Sequence, residues 1–248
     1  ILDDAIANDG IWVAYQPQID VETGEIHGYE ALMRLKNTKV SPAQFIPIAE
    51  ETGQIIKIDR ILTEKVVRQM AEWREHGIPL YKVSINYSCS QVSDVHYVDF
   101  LEELLKRYNI PPELICIEIT ESLFISNKEA VSKLLNEFVK RGISLALDDF
   151  GTGYSSLSYL TFLPINVVKI DKSLVDNYLS NEKGDFIKNI VRLVHSLAMK
   201  LTVEGVEHQW QNEKLKTFHC DYIQGYYYSK PISGAEIEDF NRKFRSIG

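Results

Sequence analysis

The side chains of this chain that could do chemistry are mostly hard-oxygen donors, and each sits in or just after a short apolar run. Glu30 lies within Glu25–Arg34, with Arg34 at its end. Asn86 falls near the close of Tyr81–Tyr87. Glu118 lies in Leu114–Thr120, with Glu121 just beyond. Asp148 and Asp149 end Ile143–Asp149, and Lys169 and Asp171 belong to Asn166–Asp171. Glu204 ends Leu201–Glu204, Glu207 follows it, and Gln224 lies in Asp221–Tyr227. Carboxylates gathered in a partly dry pocket repel one another and take up protons unless cations neutralise them. Oxygen donors without His or Cys select Mg2+, Mn2+ or Ca2+ over Zn2+. The adjacent Asp148-Asp149 pair is placed to serve two ions. Two metals about 3.5–4 Å apart stabilise both the attacking and the leaving oxygen of a phosphoryl transfer. Lys169 would position the attacking water or balance charge.

Those runs need a scaffold that brings their ends together. With Ile11–Gln18 they make eight strand-like segments, and helical stretches lie between the later ones. Ser41–Thr52 opens on a capping box and stops at Gly53. The next helix carries Ile58, Leu62, Val66, Met70 and Trp73 on one stripe and ends at Gly77. Val98–Tyr108, Lys128–Arg141 and Gly184–Ala198 follow, and a last helix starts at the capping box Ser233–Glu236. Strand and helix alternating over short links imply a parallel sheet, and eight strands in a chain of this length favour a closed barrel. Only Ile19–Gly24 joins the first two strands, too few residues for a parallel crossover. The expected fold is therefore α/β, a TIM-like (β/α)8 barrel with an antiparallel first strand. Catalytic groups of such barrels stand at the C-terminal strand ends, where the residues above fall. Alternation agrees: Cys116 and Glu118 share one face of their strand, as do Ser144, Ala146 and Asp148, while the larger aliphatics take the other.

Composition bounds the rest. The 248 residues carry a net charge of −8 and a pI near 5.3, against sequence-blind binding to a nucleic acid polymer. No apolar run is long enough for a membrane span. Cys89, Cys116 and Cys220 form no C-x-x-C, and the six His residues no H-x-x-x-H, so neither a disulfide framework nor a zinc site is expected. A reducing, cytoplasmic setting is expected. The chain starts at Ile1 with no signal-like segment. It reads as one domain, 1–248, of a longer protein that could be membrane-anchored or sensor-linked. The loop Phe150–Ser156 has two glycines but is neither a P-loop nor a dinucleotide fingerprint.

Glu30-Ala31-Leu32 resembles the motif that names the EAL domains, bacterial phosphodiesterases for the second messenger cyclic di-GMP. Tyr15-Gln16-Pro17, Phe45–Gly53, Asn86-Tyr87-Ser88, Glu118–Ser122, Asp148–Leu157, Lys169-Ile170-Asp171, Glu204–Glu207 and Gln224-Gly225-Tyr226 resemble that family's further motifs in order and spacing. The resemblance implies the same barrel and hydrolysis of cyclic di-GMP to linear pGpG, lowering the messenger level, with two Mg2+ or Mn2+ ions. Ca2+ would bind the same oxygens and inhibit. By position Glu30, Asn86, Glu118 and Asp148 resemble ligands of one metal, and Asp148, Asp149 and Glu204 the group around a second. Lys169 and Glu204 are the implied catalytic residues, Lys169 at the water. Gln16, Arg34, Gln224 and Pro231 lie where the family meets substrate, and Glu121 resembles the brace of the loop after Asp149. A homodimer through the helices after the fifth and sixth strands is also implied. The motifs usually read E-A-L-x-R-W and E-G-V-E-T end here in Leu35 and His208.

Each polar residue alone has a structural reading: Glu30 a satisfied carboxylate, Asn86 a cap, Asp148-Asp149 a turn, Lys169 a surface lysine. Joint placement at the strand ends favours the functional reading. Retention of the whole ligand set and the lysine favours an enzyme over a non-catalytic cyclic di-GMP receptor of the same fold. A glycosidase, with two working carboxylates, would leave Asn86 and Lys169 unexplained.

Overall fold

A computed structural model of the chain describes residues 1–124, 128–151, 160–180 and 185–245. Its strands are β1 (Ile11–Asp20), β2 (Ile26–Leu35), β3 (Lys82–Tyr87), β4 (Ile115–Thr120), β5 (Ser144–Asp148), β6 (Val167–Ile170), β7 (Lys200–Val203), β8 (Tyr222–Gln224) and β9 (Ile232–Ser233). They form one sheet in the order β2-β3-β4-β5-β6-β7-β8-β1-β9, and β1 also pairs with β2, which closes the barrel. β1 runs antiparallel to both β2 and β8, and the remaining barrel pairs are parallel. The hairpin that imposes this is local chemistry. Asp20 Oδ1 accepts from the backbone N–H of Glu22 and Thr23, and Gly24 takes φ +72°.

Among the described residues five α-helices precede β5: α1 (Leu2–Ala7), α2 (Pro42–Glu51), α3 (Ile55–Glu75), α4 (Tyr97–Tyr108) and α5 (Lys128–Lys140). α3 buries Ile58, Leu62, Val66, Met70 and Trp73, the stripe read from the sequence. Trp73 also donates from Nε1 to Gly234 O at 2.9 Å, tying α3 to the C-terminal segment. Helices Asp185–Ser196, Gln209–Thr217 and Ile237–Arg245 follow later strands. Gly184, expected to begin one of them, lies outside the described residues.

Differences from the sequence reading occur where a side chain or turn ends a strand early. Asp171 leaves β6 to cap the next turn, its carboxylate accepting from Ser173 N at 2.8 Å. β8 stops at Gln224, not Tyr227, because Gly225 lies against the Val206 backbone and Tyr227 N donates to Val206 O at 3.0 Å. The last capping box opens a 3-10 turn, Gly234–Glu236, before the helix. α1, the helix Gln209–Thr217 and the two-residue β9 were not anticipated. Of the two motif departures, Leu35 packs in the core opposite Ile11, and His208 opens a capping box with Gln211.

Any Cβ at position 225 would overlap the Val206 carbonyl. Gly225→Ala should therefore cost about 2–4 kcal/mol, read as a lower urea midpoint. An unchanged midpoint would contradict this packing.

Candidate active site

Strand register brings the expected residues to one end of the barrel. Gln16 on β1 lies opposite Glu30 on β2, and Gln18 opposite Gln224 on β8. Asn86 pairs with Glu118 across β3 and β4, and Thr120 with Asp148 across β4 and β5. Lys169 projects into the interior from β6 and is 1% exposed. Its Nζ lies 2.5 Å from Glu118 Oε2 and 2.7 Å from Glu204 Oε1. Asp148 Oδ1 is 3.4 Å away and Glu30 Oε2 3.6 Å. Four carboxylates thus converge on one ammonium.

Carboxamides hold the other side of Glu30. Asn86 Nδ2 donates to Glu30 Oε1 at 2.9 Å and Gln224 Nε2 to Oε2 at 2.5 Å. Gln18 Nε2 donates to Gln224 Oε1 at 2.9 Å, which orients that amide. Gln16 Nε2 reaches Ser229 O at 3.4 Å. Since Tyr15 pairs with Ile232, the register carries Pro231 alongside Gln16.

The turn after β5 sets the aspartates. Asp149 takes φ +56°, a left-handed conformation that Asp tolerates better than most residues, and its N–H donates to Asp148 Oδ1 at 2.9 Å. Phe150 is buried, and its N–H donates to Lys169 O at 3.0 Å, so this turn is fastened to the lysine's strand. Glu121 Oε1 accepts from Gly151 N at 3.5 Å. The rest of the loop that Glu121 was expected to brace, from Thr152 to Ser156, lies outside the described residues. Lys172 Nζ bonds Glu207 Oε1 at 2.9 Å, joining the segments after the neighbouring strands β6 and β7.

Burial sets the charge states. It pushes Glu118 well above the ordinary carboxylate range, against the pull of Lys169 and with added repulsion from Glu30, Asp148 and Glu204. It also raises Asp148, raises Asp149 to about 6 with help from Asp148, and raises Glu204 to about 8. For Glu30, burial is outweighed by Lys169, Gln224 and Asn86, which hold it low. Burial would depress Lys169, but its four carboxylate neighbours raise it, so it stays an ammonium.

One lysine cannot neutralise this cluster, and Glu118 Oε1 is buried with no hydrogen-bond partner among the described residues. Hard divalent cations fit that donor set. Among the described residues no three His, Cys, Asp or Glu side chains already form a cage, and the Lys169 ammonium stands within reach of four carboxylates.

A cavity of about 620 Å3 opens beside the cluster. Asn86, Glu118, Arg34 and Asp59 are among the residues that line it. Asp59 was missed in the sequence. It is 4% exposed, burial raises its pKa well above normal, and its Oδ2 has no partner among the described residues. The signal was present: an acid on the apolar stripe of α3, between Ile58 and Leu62.

The raised carboxylates make metal-free stability depend on pH. Glu204 and Asp149 bind protons in the folded chain at pH values where the unfolded chain has released them, from about pH 4 upward. Stability should therefore fall as pH rises toward 8, by a few kcal/mol at most. In EDTA, the melting midpoint of the wild type should drop between about pH 5 and 8 more steeply than that of Glu204→Gln. Parallel slopes would remove Glu204 from the buried cluster.

The EAL domain family model matches residues 1–231. The signaling protein YkoW of Bacillus subtilis is 37% identical over 244 residues, 97% of this chain and 30% of YkoW. The cyclic di-GMP phosphodiesterase PA2567 of Pseudomonas aeruginosa is 33% identical over 239 residues, 95% of this chain and 40% of the relative. A solved structure of the PaMucR phosphodiesterase in a c-di-GMP complex superposes with a TM-score of 0.88 at 31% identity, covering 95% of this chain and 97% of that one. The chain thus spans 30–40% of the length of these curated relatives. Barrel, register and family match agree: this chain belongs to the EAL domain family.

Proposed function

We propose that this chain hydrolyses cyclic di-GMP to linear pGpG with divalent cations, Mg2+ or Mn2+. The observation that carries this is the convergence of Glu30, Glu118, Asp148 and Glu204 on Lys169 beside a cavity holding Arg34 and Asp59. Glu30, Asn86, Glu118 and Asp148 would hold one cation, and Asp148, Asp149 and Glu204 a second. Bound there, the cations would supply Lewis-acid stabilisation of charge on the phosphate and raise the acidity of a water.

The chain's own groups do the rest. Lys169 keeps its proton and would donate a hydrogen bond to the attacking water, orienting it toward phosphorus. The water oxygen adds to phosphorus and one P–O3′ bond breaks, leaving a 5′-phosphate and a 3′-hydroxyl. Arg34 supplies the positive charge a phosphate or base edge needs at the cavity wall. Gln16, Gln224 and Pro231 would frame the substrate on the β1 side. Asp59 reads a guanine: two adjacent N–H donors on the base edge match one carboxylate, and that pairing would offset its burial.

Assembly belongs to the same reading. Phe162, between β5 and β6, is 80% exposed, and Phe186 is 43% exposed with its ring tilted 33° against that of Tyr178, centroids 4.4 Å apart. These aromatics support a homodimer formed on the side of the barrel beyond β5 and β6. Among the described residues no helix is long and apolar enough to cross a membrane. A reducing, cytoplasmic setting is part of the proposal.

Incubation with cyclic di-GMP and Mg2+, followed by chromatography, should yield pGpG. Glu118→Gln should abolish most turnover and weaken metal binding while the circular dichroism spectrum is kept. Tight binding without product in the wild type would make the chain a receptor instead. Asp59→Asn should raise KM about 10- to 100-fold with a smaller change in kcat. An effect on kcat alone would take Asp59 out of substrate recognition.

A further inference from the structure

Cys89 is exposed, whereas Cys116 and Cys220 are buried. It opens the 3-10 turn Cys89–Ser93, three residues past Asn86, and its Sγ lies 3.2 Å from Ser122 Oγ. Cys89 and Ser122 belong to the wall of the same cavity of about 620 Å3 that holds Arg34 and Asp59. An independent feature marks that cavity as a ligand site: Asp59, 4% exposed, lines it, and its buried Oδ2 has no partner among the described residues. The only cysteine at the surface among the described residues therefore stands in the wall of the space a ligand must enter.

We propose that Cys89 is a site of reversible S-thiolation by low-molecular-weight disulfides, and that the adduct fills the cavity and excludes the cyclic dinucleotide. This rests on the reading of the cavity as the substrate site. In the reaction, the Cys89 thiol loses its proton to solvent and the thiolate attacks one sulfur of the disulfide. That S–S bond breaks, a new S–S bond joins Cys89 to one half, and the other half leaves as a thiolate. Cys89 is oxidised as the attacking disulfide is reduced, so the step balances without a further oxidant. A thiol reverses it by the same exchange. Cys89 is none of the groups assigned to metal, phosphate or base, so a serine there leaves that machinery in place. Regulation would then come from the bulk of the adduct, and a larger adduct should exclude substrate more completely than a small one.

The whole chain is treated with glutathione disulfide. Intact mass and peptide mapping read the adduct, and calorimetry in EDTA reads the affinity for cyclic di-GMP. One glutathionyl group should map to Cys89, and affinity should fall about tenfold or more. Dithiothreitol should restore it, and a methylthio group placed on Cys89 by methyl methanethiosulfonate should weaken binding less. Cys89→Ser should take no adduct and keep its affinity. A Cys89 adduct that leaves affinity unchanged overturns the proposal, as does a native chain that takes none while the denatured chain takes three. Failure of the reduced wild type to bind cyclic di-GMP would instead sink the substrate reading, while the mass measurement still reports on Cys89.

Discussion

The Lys169 ammonium, buried among the carboxylates of Glu30, Glu118, Asp148 and Glu204, is the constraint on which the rest of the site depends. A buried cation needs its counter-charges close, and buried carboxylates need a cation, so neither side is stable without the other. Because the anions outnumber the lysine, the pairing cannot be complete. The excess appears as raised proton affinity on Glu118, Asp148 and Glu204 and as an unpartnered oxygen on Glu118. An interior built only for stability would replace such groups with apolar side chains of similar volume. Their presence at the C-terminal ends of the strands is what the proposed chemistry would use.

The barrel supports this cluster through the strand that breaks its pattern. β1 runs against both neighbours and so places Gln16 and Gln18 between Glu30 and Gln224. The chain of amides, Gln18 to Gln224 to Glu30, adds to the pull of Lys169 in holding Glu30 below the ordinary carboxylate range, while burial raises Glu118. Hydrogen-bond donors and a nearby cation lower a carboxylate's proton affinity, and burial among other carboxylates raises it. The hairpin closed by Asp20 and Gly24 thus brings Gln16 and Gln18 back alongside Glu30.

Close backbone approaches fix the remaining geometry. Gly225 lies on Val206, and Gly205, at φ +68°, lies against Lys172, whose ammonium bonds Glu207. The loops after β6, β7 and β8 are therefore packed together at the positions that follow Lys169, Glu204 and Gln224. Asp149 turns in the left-handed region while Phe150 anchors beneath it. These contacts leave little room for the acidic groups to spread apart and relieve their repulsion.

By itself, the amino-acid sequence determined the alternation of strand and helix, the hairpin at the start and the oxygen-rich character of the strand ends. Those are local properties: period-two and period-3.6 patterns, caps, glycines, and a link too short for a crossover. The tertiary structure alone decided which carboxylate is held low and which are raised, because that depends on distances among residues from five different strands and their ends. It also turned Asp171, equivalent in sequence to the other strand-end acids, into a cap by bending the chain one residue earlier. Asp59 was legible only as an anomaly on an apolar stripe, and its place in the cavity required α3 to be docked against the barrel at β1 and β2. Likewise Cys89 has no distinguishing spacing, and only folding puts it on the same wall as Ser122. Burial and convergence are sums over the whole chain, so no local pattern encodes them.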